Sequence, residues 1–303
     1  MKDLVVTERD SLPVETEDDF LRHVRQRGWL SRLVSMTPRA DVVVHDITSE
    51  RWRTEPLTMA LLTDFHIMRP WTPIKALQSY VDAVNEMKVD IVFLLGDYTS
   101  AHHTPGWRED PDRVADVLAS LDAPLGVHAI MGNHDWLDDG LAQTRSYKTS
   151  AITQALVRRK INPLINTARR ITHAGQDLWI VGLDSQTAPA DDEGGVGRHD
   201  ADQAFAEVPD ESLAILLAHE PDYFVFGDKR PVLQLSGHTH GGQANFFGWR
   251  PFTPSEYPQR YAYGHVVEDG QHLIVSGGLG YTHLPLRIAQ PPEITLVRIG
   301  AAS

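Results

Sequence analysis

Residues 57–66 read Leu-Thr-Met-Ala-Leu-Leu-Thr-Asp-Phe-His. An apolar run of strand length ends here in an acid and an imidazole, Asp64 and His66, which sit two apart and so point to the same side of an extended segment. The pattern recurs along the chain. Val89 to Leu95 opens into Gly96-Asp97, Met131 precedes Gly132-Asn133-His134-Asp135, Ala218 precedes His219, and Ser236 precedes Gly237-His238-Thr239-His240. Five apolar strands therefore deliver metal-type ligands at their C-terminal ends, where the crevice of an α/β sheet gathers its functional loops.

Between these strands the periodicity changes. Ile74 to Met87 and Pro111 to Leu121 have helical spacing, with Pro111 suited to a first turn, and Gly140 to Lys160 is polar and helix-compatible. Asp41 to Ile47 and Leu125 to Met131 read as further strands, and Ile171 to His173 with Leu178 to Leu183 as a hairpin around Gly175. Leu213 to Ala218, Val232 to Ser236, Ala262 to Val267, His272 to Ser276 and Ile294 to Ile299 are short and strand-like, while acidic, glycine-rich Asp191 to Arg198 is a surface loop. An alternating first half and a strand-rich second half predict stacked sheets flanked by helices, in one domain over residues 41–303.

Composition narrows the function. The net charge of -13 across 303 residues argues against a nucleic-acid polymer as partner, because such affinity rests on lysine and arginine. With no cysteine, disulfides, thiolate zinc sites and a cysteine nucleophile are excluded. No window reaches the run of about 20 apolar residues that crosses a bilayer, and Met1 to Asp19 lacks a signal-peptide pattern, so the expectation is a cytoplasmic protein. Residues 1–40 form an N-terminal extension in which Phe20, Leu21, Val24, Leu30, Leu33 and Val34 recur at helical spacing among Arg22, Arg25, Arg27 and Arg32. A basic amphipathic helix over 20–36 either touches an anionic membrane surface peripherally or packs on the core.

Imidazole, carboxylate and amide oxygen together suit Mn, Fe, Zn or Co, and two ions sharing a carboxylate form a clamp for phosphoryl transfer. The ordered blocks Asp-Phe-His, Gly-Asp-Tyr, Gly-Asn-His-Asp, a lone His and Gly-His-Thr-His resemble the signature of calcineurin-like metallophosphoesterases, from Asp64 to His240. That resemblance implies a sandwich of two mixed β-sheets flanked by helices and a cofactor of two divalent ions, Mn, Fe or Zn. It assigns Asp64, His66 and His240 to one ion, Asn133, His219 and His238 to the other, and Asp97 to both. It also implies attack on phosphorus by a hydroxide held between the ions, with His134 binding the phosphate or protonating the leaving oxygen and Asp135 orienting His134. Two aspartates offset only part of the charge of two divalent ions, so an acidic protein can still attract a phosphoester.

The finer pattern narrows the family. Gly-Asp-Tyr-Thr-Ser lacks the tyrosine of purple acid phosphatases three residues after Asp97, and Ser100-Ala101-His102 stands where phosphoprotein phosphatases carry Asp-Arg-Gly. The extended Ser236 to Gln243 block, with Gly277 to Gly280, Pro285-Leu286-Arg287 and Pro291-Pro292-Glu293, is similar to a bacterial branch of membrane-associated phosphodiesterases. That branch includes enzymes that cleave the pyrophosphate of UDP-2,3-diacylglucosamine, which implies a phosphodiester or pyrophosphate substrate, lipid-linked or a nucleotide sugar. Two departures are the basic stretch in place of a membrane segment and Gly277 where an arginine is common. His102, His103, Arg250 and Arg287 are candidate substrate contacts, and Trp249, Phe252 and Tyr257 suit either an apolar wall or the core. The alternatives are a soluble cyclic-nucleotide phosphodiesterase or nucleotidase, and a catalytically silent, metal-stabilised scaffold.

Overall fold

A computed structural model describes residues 34–35, 39–100, 107–191, 193–282 and 284–302. In chain order the first elements are β1 (Val34–Ser35), β2 (Asp41–Ser49), β3 (Leu57–Leu62), α1 (Ile74–Met87), β4 (Ile91–Leu94), α2 (Pro111–Leu118) and β5 (Val127–Ala129). Short helices α3 (His134–Leu137), α4 (Gly140–Thr144) and α5 (Ala151–Arg158) lead to the hairpin β6 (Thr167–His173) and β7 (Gln176–Gly182). After α6 (Ala201–Phe205) come β8 (Ala214–Leu217), β9 (Leu233–Ser236), β10 (Gly264–Glu268), β11 (Gln271–Val275), β12 (Arg287–Ile288) and β13 (Glu293–Ala301). Helix starts carry the expected chemistry: Asp110 caps α2 ahead of Pro111, Ser150 caps α5 and Asp200 caps α6.

All the strands but β1 and β12, which pair with each other, form two mixed sheets. One runs β2-β13-β3-β4-β5 and the other β10-β11-β9-β8-β7-β6. In the first, β13 is parallel to β2 and antiparallel to β3, so a late strand separates two early ones. Along β3, Leu57, Met59 and Leu61 face the second sheet, where they join Ile180, Ile215 and Leu235, while Ala60 and Leu62 face the helices. Both faces are buried, which is why this strand reads as a continuous apolar run rather than an alternating one. Leu77, Tyr80, Val81 and Val84 of α1 close the outer layer over β3 and β4. The second sheet is backed by Phe205 of α6 and Tyr223 against Ala214 and Leu216.

The helix-compatible residues 140–160 hold two short helices, and α6 falls in a stretch for which no element was expected. One sequence expectation changes. Of the segment 20–36, only Val34–Ser35 lie among the described residues. They form a strand against Arg287–Ile288 rather than the end of a helix. The rest of that expected helix lies outside the described residues, as do His102 and His103. No helix among the described residues is long and apolar enough to cross a membrane.

Candidate metal centre

The ends of β3, β4 and β5 from one sheet and of β8 and β9 from the other meet at one point. Asp64 and His66 follow β3, Asp97 follows β4, Asn133 follows β5, His219 follows β8, and His238 and His240 follow β9. Five of these residues turn in the left-handed region: φ is 53° at Asp64, 41° at His66, 56° at Asp97, 69° at His238 and 50° at His240. That conformation costs a residue with a Cβ about 1–2 kcal/mol, so it persists only where the surroundings enforce it. The Asp64 amide donates to the Gly96 carbonyl at 3.1 Å and the His66 amide to the Asp97 carbonyl at 3.0 Å. The His238 amide donates to the Asp64 carboxylate at 3.0 Å. Two glycines admit the close approach: a Cβ on Gly132 would strike the Asp97 carboxylate, and one on Gly237 would strike Thr63 and Asp64.

The side chains converge. His66 Nε2 lies 3.1 Å from His240 Nε2, and His240 Nε2 lies 3.4 Å from Asp64 Oδ1. Asp97 Oδ2 is 3.5 Å from His66 Nε2 and 3.3 Å from His219 Nε2. His238 Nδ1 and Asn133 Oδ1 are 3.1 Å apart. Asp64, His66 and His240 form one compact donor group, and Asp64, Asp97 and His219 another. A third joins His219, His238 and Glu220. Glu220, however, is committed elsewhere, since its carboxylate accepts from Ser185, the Gln186 amide and Thr187.

His219 tests whether this set suits a metal ion. Its Nδ1 lies 2.6 Å from the Leu95 carbonyl and donates to it. In the neutral ring Nε2 therefore carries a lone pair, and this buried atom makes no hydrogen bond while facing two carboxylates. Electron-rich atoms held this way require a cation among them, and a carbonyl on the far ring nitrogen is how ligating histidines are oriented. Without an ion, burial opposes charge on the His219 ring, but Asp97 and Asp64 outweigh it and raise its pKa well above the ordinary value, so a proton takes the cation's place and binding an ion must displace it. Burial pushes Asp64 up to about 6, against the pull of His219, with Asp97 adding to the rise. Burial would raise Asp97 too, yet His219 and His134 outweigh it and hold Asp97 well below the usual range. Burial, then neighbouring cationic groups, keep His240 well below its ordinary value, favouring the neutral form that ligates. The residues fit divalent ions.

His134 stands at the edge of the group, its ring centroid 5.1 Å from that of His66. Its amide donates to Asp97 Oδ1 at 2.9 Å, and its Nδ1 meets Asp138 Oδ2 at 2.9 Å. Burial opposes charge on this ring, but Asp97 and Asp138 outweigh it and raise the pKa to about 9. Asp138, not Asp135, orients His134. The Asp135 carboxylate instead accepts from the amides of Asp97 at 2.8 Å, Tyr98 at 2.9 Å and Gly132 at 2.8 Å, tying the end of β4 to that of β5. Burial and the Asp97 charge raise Asp135 to about 7 against the pull of those amides. The signal for Asp138 was its position four residues after His134, where one helical turn brings side chains together.

The two arginines expected to meet phosphate are turned inward. Arg287 is fully buried, donating to the Gly277 carbonyl at 2.7 Å and the Gly280 carbonyl at 3.0 Å, with Nη2 3.1 Å from His240 Nδ1. Arg250 donates to the carbonyl of Gly241 and to Gln290 at 2.7 Å, and stacks on Tyr263. Arg287, and Nη1 of Arg250, are spent on the glycine-rich loops beside His240. Trp249 and Phe252 are exposed rather than packed in the core.

The model of the calcineurin-like phosphoesterase family matches residues 57–242, from the start of β3 to just past His240. The chain belongs to that family. This phosphoesterase is 32% identical over 235 residues to the metallophosphoesterase YkuE of Bacillus subtilis, covering 77% of this chain and 76% of that one. It is 26% identical over 280 residues to a phosphodiesterase of Escherichia coli, covering 91% of both chains. It is also 26% identical over 289 residues to a UDP-2,3-diacylglucosamine pyrophosphatase of Chlamydia trachomatis, covering 80% of this chain and 83% of that one. It is a metal-dependent phosphoesterase, and the donor groups described above are its candidate metal ligands.

Proposed function

We propose that this phosphoesterase hydrolyses phosphodiester or pyrophosphate bonds at a centre of two divalent ions. The position of Asp97 carries the reading: one carboxylate oxygen lies 3.5 Å from His66 Nε2 and 3.3 Å from His219 Nε2, between the two donor groups. Asp64, His66 and His240 would hold one ion, Asn133, His219 and His238 the other, and Asp97 both. When bound, such ions neutralise charge on the phosphoryl oxygens and acidify water. Mn, Fe and Zn all suit these donors.

The protein's own part is orientation and proton transfer. His219 is fixed through its far ring nitrogen, which donates to the Leu95 carbonyl, so this ligand is oriented before substrate arrives. His134, held by Asp138, remains protonated through neutral pH and can donate to a phosphoryl oxygen or to the departing alkoxide. A lipid-linked or nucleotide-sugar substrate draws its support from the pyrophosphatase relative. Peripheral membrane contact through residues 20–36 belongs to the same proposal, and binding to anionic liposomes that is lost on deleting that segment would support it.

The test is hydrolysis of bis(p-nitrophenyl) phosphate and p-nitrophenyl phosphate by metal-stripped protein reloaded with Mn, Zn or Fe, with metal content counted per chain. Diester cleavage that needs two ions, and that falls in Asp97→Asn and in His134→Ala by about 10²–10⁴-fold in the latter, is expected. Full activity with a single ion per chain, or an undiminished Asp97→Asn enzyme, would overturn the proposal.

A further inference from the structure

The exposed aromatic side chains of this domain gather on one hairpin. Of the exposed phenylalanines and tryptophans among the described residues, four lie between 246 and 252: Phe246, Phe247, Trp249 and Phe252. Trp249 is 60% exposed, Phe252 69%, and Phe247 stands wholly in solvent. On a neighbouring loop Leu284 is 63% exposed, and its carbonyl accepts from Gln243 at 3.0 Å. Single exposed apolar residues are ordinary, but a group of them marks a contact surface.

The backbone holds these rings outward at a cost. Phe246 and Trp249 exchange amide hydrogen bonds, at 2.9 and 3.2 Å, around a two-residue turn with φ of 57° at Phe247 and 99° at Gly248. A hairpin turn with two positive φ values selects Asn-Gly or Asp-Gly. Phenylalanine there meets the left-handed penalty that a Cβ imposes, and Phe247 gains no burial to offset it. The turn is nevertheless fixed, because the Gly248 amide donates to Asn245 Oδ1 at 2.7 Å and the Asn245 amide to the Ile288 carbonyl at 2.8 Å. A strained aromatic displayed on a fixed tip is explained by a contact outside the domain.

The surroundings identify that contact. Ile288 pairs with Val34, the first described residue, and bridges to Ala244, so residues 20–33 join the fold beside the hairpin. That stretch holds Arg22, Arg25, Arg27 and Arg32 and no acid, in a chain of net charge -13. Aromatic rings next to such basic charge suit the headgroup layer of an anionic bilayer, where rings settle between hydrocarbon and water and arginine meets lipid phosphate.

We infer that hairpin 246–252 is an interfacial anchor that seats the catalytic domain on an anionic lipid bilayer. Phe247 and Trp249 enter the headgroup layer, and the arginines of residues 20–33 add electrostatic attraction. Phe246 follows His240 by six residues, so a docked hairpin holds this ligand within about 20 Å of the anchor. The anchor lies in the domain itself, and it does not depend on which bond the centre cleaves.

The test is sedimentation of the full chain with vesicles of phosphatidylcholine, with and without phosphatidylglycerol. Binding to the mixed vesicles, and weaker binding to pure phosphatidylcholine, is expected. Trp249→Ser and Phe247→Gly should each weaken binding to the mixed vesicles by about tenfold. Phe247→Gly should do so with the urea midpoint level or higher, because glycine suits the turn, and general unfolding cannot produce that pairing. Hydrolysis of soluble bis(p-nitrophenyl) phosphate should be unchanged in both variants; its absence in the wild type would sink the diesterase reading and leave the vesicle result standing. A full chain that does not bind the mixed vesicles, or variants that bind them as well as the wild type, would overturn the inference. Self-association of the wild type alone, without vesicle binding, would assign the patch to a second copy instead. A lowered urea midpoint in both variants with unchanged vesicle binding would assign it to the chain's own residues 1–33.

Discussion

The metal centre and the aromatic hairpin that follows it in the chain handle their side chains in opposite ways. In the centre, three donor residues have a second hold inside the protein: His219 on the Leu95 carbonyl, Asp97 on the His134 amide and Asp64 on the His238 amide. At the hairpin, the rings of Phe247 and Trp249 stand in solvent on a backbone fixed by Asn245. The contrast separates two tasks. Atoms that must hold an ion in fixed geometry are locked beforehand, whereas rings that must enter a lipid layer are left bare.

The most damaging break in the locked region is the loss of a ligand. His219→Ala should reduce bound metal from two ions to one per chain after dialysis, and reduce diester hydrolysis on the order of 10³-fold through several kcal/mol of lost charge stabilisation. Asp135→Ala removes the acceptor for three amides at the ends of β4 and β5. It should lower stability by about 1–3 kcal/mol, read from the urea midpoint. Asp138→Asn is gentler. His134 has its pKa raised from 6.5 to about 9, so its proton is retained below that value and lost as pH rises through it. The stability from charging this ring, which Asp97 and then Asp138 supply against burial, is therefore complete below pH 6.5 and gone above about 9. Removing the Asp138 charge should move the alkaline limb of kcat down by about one pH unit, and an unmoved limb would remove Asp138 from its positioning role. The smallest expected effect on hydrolysis lies in the bare region, where Trp249→Ser and Phe247→Gly weaken vesicle binding and sharpen the contrast without touching an ion ligand.

How far the sequence reached depended on the range of each signal. Strand and ligand were both legible at Asp64, Asp97 and His238, because an apolar run and a polar residue at its end are local patterns. Their convergence into one centre agreed with five blocks in a fixed order. The inward turn of Arg250 and Arg287 was hidden because a charged side chain carries no mark of its burial; their partners are carbonyls of Gly241, Gly277 and Gly280, which any residue could supply. Asp135 was taken for the partner of His134 by adjacency, while the helical turn gave that place to Asp138. Trp249 and Phe252 read as an apolar wall or as core, since exposure leaves no more mark on a single residue than burial does. The placing of β13 between β2 and β3 was equally hidden, because register and strand order are properties of the assembled sheet.

That placing has a consequence for how the chain is made. Among the described residues β2 has β13 as its only neighbour in the sheet, and the paired residues Asp46 and Arg298 lie 252 positions apart. At a synthesis rate of about 5–20 residues per second, Val42-Val43-Val44 waits roughly 10–50 s on the ribosome before its partner strand exists. Until then it is an unpaired β-branched edge, the kind of segment that recruits strands from other nascent chains. The acids on either side of that valine run, Asp41 and Asp46, are what guard it during that interval.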